Sequence, residues 1–407
     1  METKAINTKL KGHARVDVAD VLRGLAVMGI IILHSIEHFN FYSFPDTAGQ
    51  SAWLNFSDKA IWNGLFFMFG GKAYAIFALL FGFSFFIQDD NQRLRGNDFR
   101  LRFCWRLILL FLIGNINASF FTAEVLVLYS LVGFILPLTC RLKDKWIFAL
   151  ACLLLIQPLP LYYVIRACLD PEFVTPAIPT RSFWNATFAV QSNGNFLETI
   201  RVNLWEGQLA SLAWAWDHGR VFQTAALFLL GMLIGRKGLF LKEHLKVWNK
   251  VLAGSLVAFF PLYGLGSSLV AFFPLYGLGN MLPDFITNKS ILTPLSLIIT
   301  SLSNFAFMLI LVSGVVFAFY KTNLHDGLMK ITPYGKMSLT NYITQSIVGS
   351  MLYYNWGFAL HNQFGITASC LAGIVFFILQ FSFCRWWMNH HSHGPMEYIW
   401  KRATWLK

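Results

Sequence analysis

Long apolar runs, separated by short stretches rich in lysine and arginine, set the pattern of this chain. A helix needs about 18–20 apolar residues to cross a bilayer's hydrocarbon core. Runs of this kind begin near Val21 and recur through the sequence. They predict about ten spans, over 18–41, 61–87, 103–120, 124–140, 146–168, 221–235, 248–279, 291–320, 334–354 and 365–388. Backbone groups in lipid must find their hydrogen bonds internally. The expected fold is therefore an all-α, polytopic transmembrane bundle, one membrane domain over 1–407. The first run follows a polar, basic lead over 1–17. It outlasts a signal peptide's apolar core and lacks a small-residue cleavage site, so it reads as a retained span.

Composition agrees. The 407 residues are 56% hydrophobic and 13% charged, where a soluble domain carries about a quarter charged residues. The net charge of +12 would suggest a nucleic-acid partner on a soluble chain. Here the basic residues collect in loops, as they do on the cytoplasmic face of membrane proteins, and no nucleic-acid partner is expected. All but seven of the 32 lysines and arginines fall between Lys4 and Arg23, Arg93 and Arg106, Arg141 and Lys145, Arg236 and Lys250, Lys321 and Lys336, or Arg385 and Lys407. An even number of spans with both termini cytoplasmic satisfies this bias, making 389–407 a cytoplasmic tail. The six cysteines stand singly, with no Cys-x-x-Cys spacing, and read as packing residues.

The longest outer segment, 169–219, starts Pro-rich and continues as NFLETIRVNLWEGQLASLAWAWDHGR, with Trp205, Trp214 and Trp216 among polar residues. An interfacial amphipathic helix is the preferred reading, and a lid over an outward-facing site is the other. One tandem repeat, SLVAFFPLYGLGS then SLVAFFPLYGLGN over 255–280, overextends the seventh run, and its Pro261 and Pro274 are expected to kink or end helices.

The first span carries the densest chemistry. Arg23 and His34 are eleven residues apart, about three helical turns and roughly 16 Å, so both lie on one stripe. Glu37 and His38 extend it. His34, in the outer half of the membrane, could act as general base on a hydroxyl or amine, with Glu37 orienting it or sharing its proton. A histidine hydrogen-bonded to another helix is the ordinary alternative. Arg23, at the inner surface, could hold an anionic cofactor group or simply anchor the helix end. Arg93, Arg95, Arg100, Arg102 and Arg106 suit the phosphates of a nucleotide-like donor, although topology alone also puts cations there. Lys72, after the Gly70-Gly71 pair, needs a partner, for which Glu124 is the candidate. Asp58-Lys59 and Asp217-His218 could supply a second acid or base. His390, His391 and His393 fall short of a metal ligand set, and no metal is expected. Walker, dinucleotide, Gly-x-Ser-x-Gly and His-Glu-x-x-His patterns are missing, which disfavours ATP-driven transport and hydrolysis by those motifs.

Five ordered stretches, DVLRGLAVMGIIILH, GKAYAIFALLFGFS, EVLVLYSLVGFIL, PYGKMSLTNYITQS and GPMEYIWKRATW, resemble the YeiB-like family of bacterial integral membrane proteins. The first also resembles the wider transmembrane acyltransferase superfamily, with its acyltransferase-3 and heparan-alpha-glucosaminide N-acetyltransferase relatives, where an Arg, ten residues and a His form a motif. The chain departs from typical YeiB-like sequences, which usually carry Asn where His34 stands, His near Asn117 and Asp near Glu124. The resemblance implies a multi-pass protein of a bacterial cytoplasmic (inner) membrane. Its implied activity is transfer of an acetyl group from acetyl-CoA to an amine or hydroxyl of a saccharide, amino sugars such as glucosamine first. His34, Glu37 and His38 would be catalytic, and Arg23, Lys72, Arg93, Arg95, Arg102 and Arg106 would hold the donor. The bilayer and a saccharide acceptor are the expected partners, and a homo-oligomer is compatible with such a bundle. A proton-coupled transporter or channel using the intramembrane His, Glu and Lys residues is the alternative.

Overall fold

Backbone in lipid has no water to bond, and among the described residues every regular element is helical, with no strand. The computed structural model describes residues 16–46, 49–170, 172–176, 178–269, 288–361 and 363–405. The basic cluster from Lys4 to Arg15 and most of the second repeat copy, with Pro274, lie outside them.

At the centre stands α1 (Asp17–Ile36). It is apolar on nearly every face, and 72% of its span is buried, against 17–44% in the other candidate spans. After it come α2 (Ala52–Phe69) and α3 (Ala73–Arg93), parted at Gly70-Gly71-Lys72, then α4 (Arg100–Ala118). The short α5 (Leu126–Val132) and α6 (Ile135–Thr139) precede α7 (Asp144–Leu155) and α8 (Pro158–Leu169). A group of shorter helices follows: α9 (Thr180–Asn193), α10 (Phe196–Val202), and α11 (Gln208–Asp217), the last two joined by a π-helical turn over Asn203–Gly207. The chain continues through α12 (Arg220–Arg236), α13 (Leu245–Leu269), α14 (Lys289–Lys321), α15 (His325–Met329) and α16 (Thr332–Lys336). It finishes with α17 (Ser338–Tyr353), α18 (Ile366–His390) and α19 (Pro395–Trp405). Helices α2, α3, α14, α16, α17 and α18 all pack on α1.

The described residues hold six helices long and apolar enough to cross a membrane, or up to eight if each of two bent pairs is one span. This is a membrane protein; the count of ten spans is not confirmed among the described residues, where several expected spans are short or bent. The stretch 124–140 yields only Leu126–Thr139, interrupted near Gly133. The stretch 334–354 yields the 16-residue α17 behind the short α16. Between α7 and α8 the chain bends by 52°. Pro158 has no N–H to donate and disfavours helix at the residue before it, and Gln157 takes a left-handed φ of 59°. Gln157 then donates to Ser301 Oγ of α14 at 3.0 Å. A second bend, of 72°, leads from α11 into α12 at Gly219. Pro261, expected to kink or end its helix, lies inside α13, which runs on to Leu269.

Glycine permits the closest crossing. A Cβ on Gly82 would strike the Phe228 backbone, and one on Gly231 the Leu79 backbone, so α3 and α12 meet main chain to main chain. Several of the basic clusters converge at one end of the bundle. Arg141 pairs with Asp89 at 3.1 Å and Arg236 with Asp144 at 2.9 Å. Arg102 donates to the Thr404 carbonyl at 3.1 Å, and the Arg106 guanidinium lies 3.9 Å from the Trp400 ring centroid, so α4 seats α19. From α19, Glu397 accepts the Leu339 and Thr340 N–H groups at 2.7 and 3.1 Å and the Thr340 hydroxyl at 2.6 Å. A carboxylate there satisfies open N–H groups at the start of α17 and suits the positive end of its dipole. Burial pushes the Glu397 carboxyl up, against the opposing pull of the Thr340 hydrogen bonds.

Two stability predictions follow from these contacts. Glu397→Ala strips three hydrogen bonds at once and is expected to cost about 2 kcal/mol, read as a lower thermal midpoint in detergent, with Glu397→Gln losing less. Gly82→Val puts side-chain atoms where the Phe228 backbone lies and is expected to eliminate the monodisperse peak in size-exclusion chromatography.

Candidate functional site at the end of the first helix

The last turn of α1 unwinds to present three polar side chains. Helical bonding widens as Phe39 N–H reaches back to the His34 carbonyl at 3.1 Å, and Tyr42 N–H to the Glu37 carbonyl at 3.0 Å. Phe41 and Tyr42 both take φ of 54°, a left-handed conformation that costs a bulky residue about 1–3 kcal/mol. Surrounding contacts hold this turn: Asn40, fully buried, donates to Ser369 Oγ of α18 at 2.5 Å.

His34, Glu37 and His38 place their ligating atoms within 4.8 Å of one another. Glu37 Oε1 is 2.8 Å from His38 Nδ1, and the Tyr42 hydroxyl donates to Glu37 Oε2 at 3.3 Å. The His34 ring packs against Phe121, centroids 4.9 Å apart, and meets His38 edge-on at 5.2 Å. The His-Glu-His donor set is the one group among the described residues that could share a cation, although Glu37 Oε2 already accepts from Tyr42. The predicted trio is therefore brought together.

These residues line a cavity of about 780 Å³. Helix α1 supplies Ile30, Leu33 and His34; the break between α2 and α3 supplies Gly70, Gly71 and Tyr74; Glu124 and Tyr342 close another side. Trp184 and Arg181 enter from α9, Trp214 from α11, Arg220 from the first turn of α12 and Asn304 from α14. Residues of the segment expected to lie in the membrane interface thus wall the cavity. Its Trp205 and Trp216 are exposed.

Arg23 is not part of this cavity. It pairs with Asp20 at 2.5 Å and donates to Ser84 Oγ at 2.6 Å. Between it and His34 the space shrinks to a void of about 10 Å³ among Val27, Ile30, Phe77, Tyr129 and Tyr342. The stripe exists on α1 but is sealed midway. Lys72 does not meet Glu124. Its ammonium lies 3.5 Å from the Phe66 carbonyl and over the Phe67 and Phe307 rings, while Glu124 accepts from the Asn117 side chain and the Leu126 N–H.

Of the arginine cluster, Arg93 pairs with Asp90, Arg100 with Asp98, and Arg102 and Arg106 hold α19. Arg95 is exposed. Asp58 ties α2 to α18 through Thr367 N–H at 2.8 Å and its hydroxyl at 2.6 Å, whereas Lys59 is exposed. Asp217 accepts from Thr180 at 2.6 Å, and His218 stacks on Trp214. The tail histidines separate: His390 and His391 bond carbonyls of their own helix, and His393 contacts Lys401. Sequence reasoning missed Tyr74, Arg181, Trp184, Arg220 and Asn304 as cavity residues. The φ of +64° at Gly219, which aims Arg220 inward, had only its glycine as a signal.

Residues 234–407 match the family model described as "Protein of unknown function (DUF418)". The chain is 26% identical to "Uncharacterized protein YxaH" of Bacillus subtilis (strain 168), covering 97% of this chain and 95% of that one. It is 24% identical to "Uncharacterized protein YeiB" of Escherichia coli (strain K12), covering 95% of each. An "Uncharacterized 39.9 kDa protein in amylase 3'region" of Bacillus acidopullulyticus is 22% identical over 96% of this chain and 94% of its own length. No solved structure matches. This membrane protein is thus similar over nearly its full length to YxaH and YeiB, and its second half matches the DUF418 model.

Proposed function

We propose that the protein is a membrane-embedded acetyltransferase of a bacterial inner membrane. It would take an acetyl group from cytoplasmic acetyl-CoA to an amine or hydroxyl of a saccharide on the far side, with glucosamine-type sugars favoured. The observation that carries this reading is the His34, Glu37 and His38 cluster on the wall of a ligand-sized cavity that also presents indole, amide and guanidinium groups. Such a mixture, aromatic faces with a few polar anchors, suits a sugar ring.

In this reading the acceptor's O–H or N–H gives its proton to His34 as the acceptor atom attacks the thioester carbonyl. The tetrahedral intermediate collapses with loss of the CoA thiolate, and the imidazolium returns the proton to that sulfur. Glu37, held by the Tyr42 hydroxyl and lying beside His38, offsets the positive charge that forms on His34. The arginines Arg93, Arg102 and Arg106 are engaged elsewhere and Arg23 is held by Asp20 and Ser84, so the donor's anionic end would meet exposed Arg95 or compete with Asp20 for Arg23. The acyl arm then reaches His34 only by displacing the layer of Val27, Ile30, Tyr129 and Tyr342.

The same sealed layer favours one second reading. A cavity closed at its inner end is also what one state of an alternating-access transporter presents. The two readings separate cleanly. Purified protein given labelled acetyl-CoA and glucosamine is expected to acetylate the sugar, and His34→Ala to lower kcat by about 100-fold or more. Tyr42→Phe, which frees one Glu37 oxygen, is expected to lower it by about tenfold or less. Full transfer by His34→Ala would end the acetyltransferase mechanism; sugar flux into liposomes without acetyl-CoA would establish the transporter.

A further inference from the structure

The charges lining the cavity are not matched in pairs. Neither carboxylate on the wall pairs with a guanidinium: Glu37 lies beside His38 and accepts from Tyr42, and Glu124 accepts from Asn117 and the Leu126 N–H. Two guanidinium groups, Arg181 and Arg220, also line the space, and among the described residues neither has a carboxylate within 4.0 Å. Asp217, three residues before Arg220, is taken by Thr180.

Arg220 is held but not neutralised. Its guanidinium lies 4.2 Å from the Tyr74 ring centroid and 5.3 Å from that of Trp214, and Nη1 donates to Gln223 at 3.3 Å. Buried Lys72 adds positive potential at the same place. Aromatic faces offset part of a cation's burial, but a partly buried guanidinium with no carboxylate beside it favours an anion.

The neighbouring backbone is shaped to leave room for one. Gly71 has φ of +73°, and a Cβ there would come within 2.8 Å of Asn304 Nδ2 and 3.4 Å of Arg220 Nη2. The missing side chain lets two donors from different helices converge at one spot on the wall.

We infer that Arg220, Asn304 and the bare Gly71 backbone form an oxyanion subsite, and that the saccharide taken by this cavity carries a phosphate, sulfate or carboxylate. This deepens the acetyltransferase reading and rests on it for the saccharide. Trp184 and Trp214 face the ring, while the acidic substituent sits in the guanidinium fork.

The test is calorimetric binding, without acyl donor, to the full chain in a sugar-free detergent such as lauryldimethylamine oxide. Glucosamine 6-phosphate is expected to bind about tenfold or more tighter than glucosamine. Arg220→Gln is expected to erase that preference and Arg220→Lys to keep part of it. Asn304→Asp, which places a carboxylate inside the subsite, is expected to erase it as well, and serves if Arg220→Gln fails to fold. Equal binding of the two sugars, or an unchanged preference in Arg220→Gln or Asn304→Asp, overturns the subsite. Glycerol 3-phosphate outcompeting the sugar phosphate assigns the anion to a lipid headgroup and overturns the saccharide. A chain that binds the acidic sugar but transfers no acetyl group sinks the acetyltransferase alone; one that acetylates neutral and acidic sugars equally well sinks the subsite alone.

Discussion

A helix buried on every side can keep a polar group only where another element answers it, and α1 is such a helix. Its polar residues gather at the two ends. Asp20 and Arg23 meet Ser84 of α3 at one, and His34, Glu37 and His38 meet Tyr42 and Phe121 at the other. Between them stand buried apolar side chains such as Val27, Ile30 and Ile31. The surrounding bundle is arranged to serve both ends and to keep the middle dry. This is why α1 holds its chemistry in a turn that departs from helical geometry, where side chains turn away from the packed seam into open space.

The cavity is a product of breaks rather than of regular helices. Gly70-Gly71 separates α2 from α3, Gly219 turns α11 into α12, and Glu124 precedes α5. Each interruption brings backbone or polar side chains to the cavity wall, a pattern tolerated in membranes where the irregular backbone is covered by protein or lines a cavity. The layer of α9 to α11 then closes the wall with indole rings. A rigid α1 flanked by broken elements joins a fixed chemical cluster to walls assembled from distant parts of the chain, which is the arrangement a ligand-sized site requires.

Much of this was legible from residue order. The class of fold followed from apolar run length, and the trio on α1 from spacing alone, because both are local properties. The basic clusters were readable as clusters, and Arg93, Arg102, Arg141 and Arg236 each find a protein partner. Their occupation was not. Whether Arg106 binds a phosphate or seats Trp400 depends on where a helix almost 300 residues later packs. The Lys72 to Glu124 pairing failed for the same reason: proximity across a bundle is set by helix rotation, which periodicity does not report. Hydropathy did not show that Pro158 bends one apolar run, or that Leu126–Thr139 is a short helical stretch. Arg220 went unnoticed because its aim depends on the φ of Gly219, a backbone angle that residue order does not display.

The Glu397 carboxylate lies 57 positions after the Thr340 N–H that it accepts, and α18 is threaded in between. During synthesis α17 must therefore enter the bundle with an unfinished amino end, and it stays so until residue 397 has cleared the ribosome. Helices α17 and α18 are then both in place before the latch that fastens them exists. A stalled or prematurely released chain would carry an unlatched α17 beside the central helix, a local defect that a quality-control protease could read as a sign of incomplete manufacture.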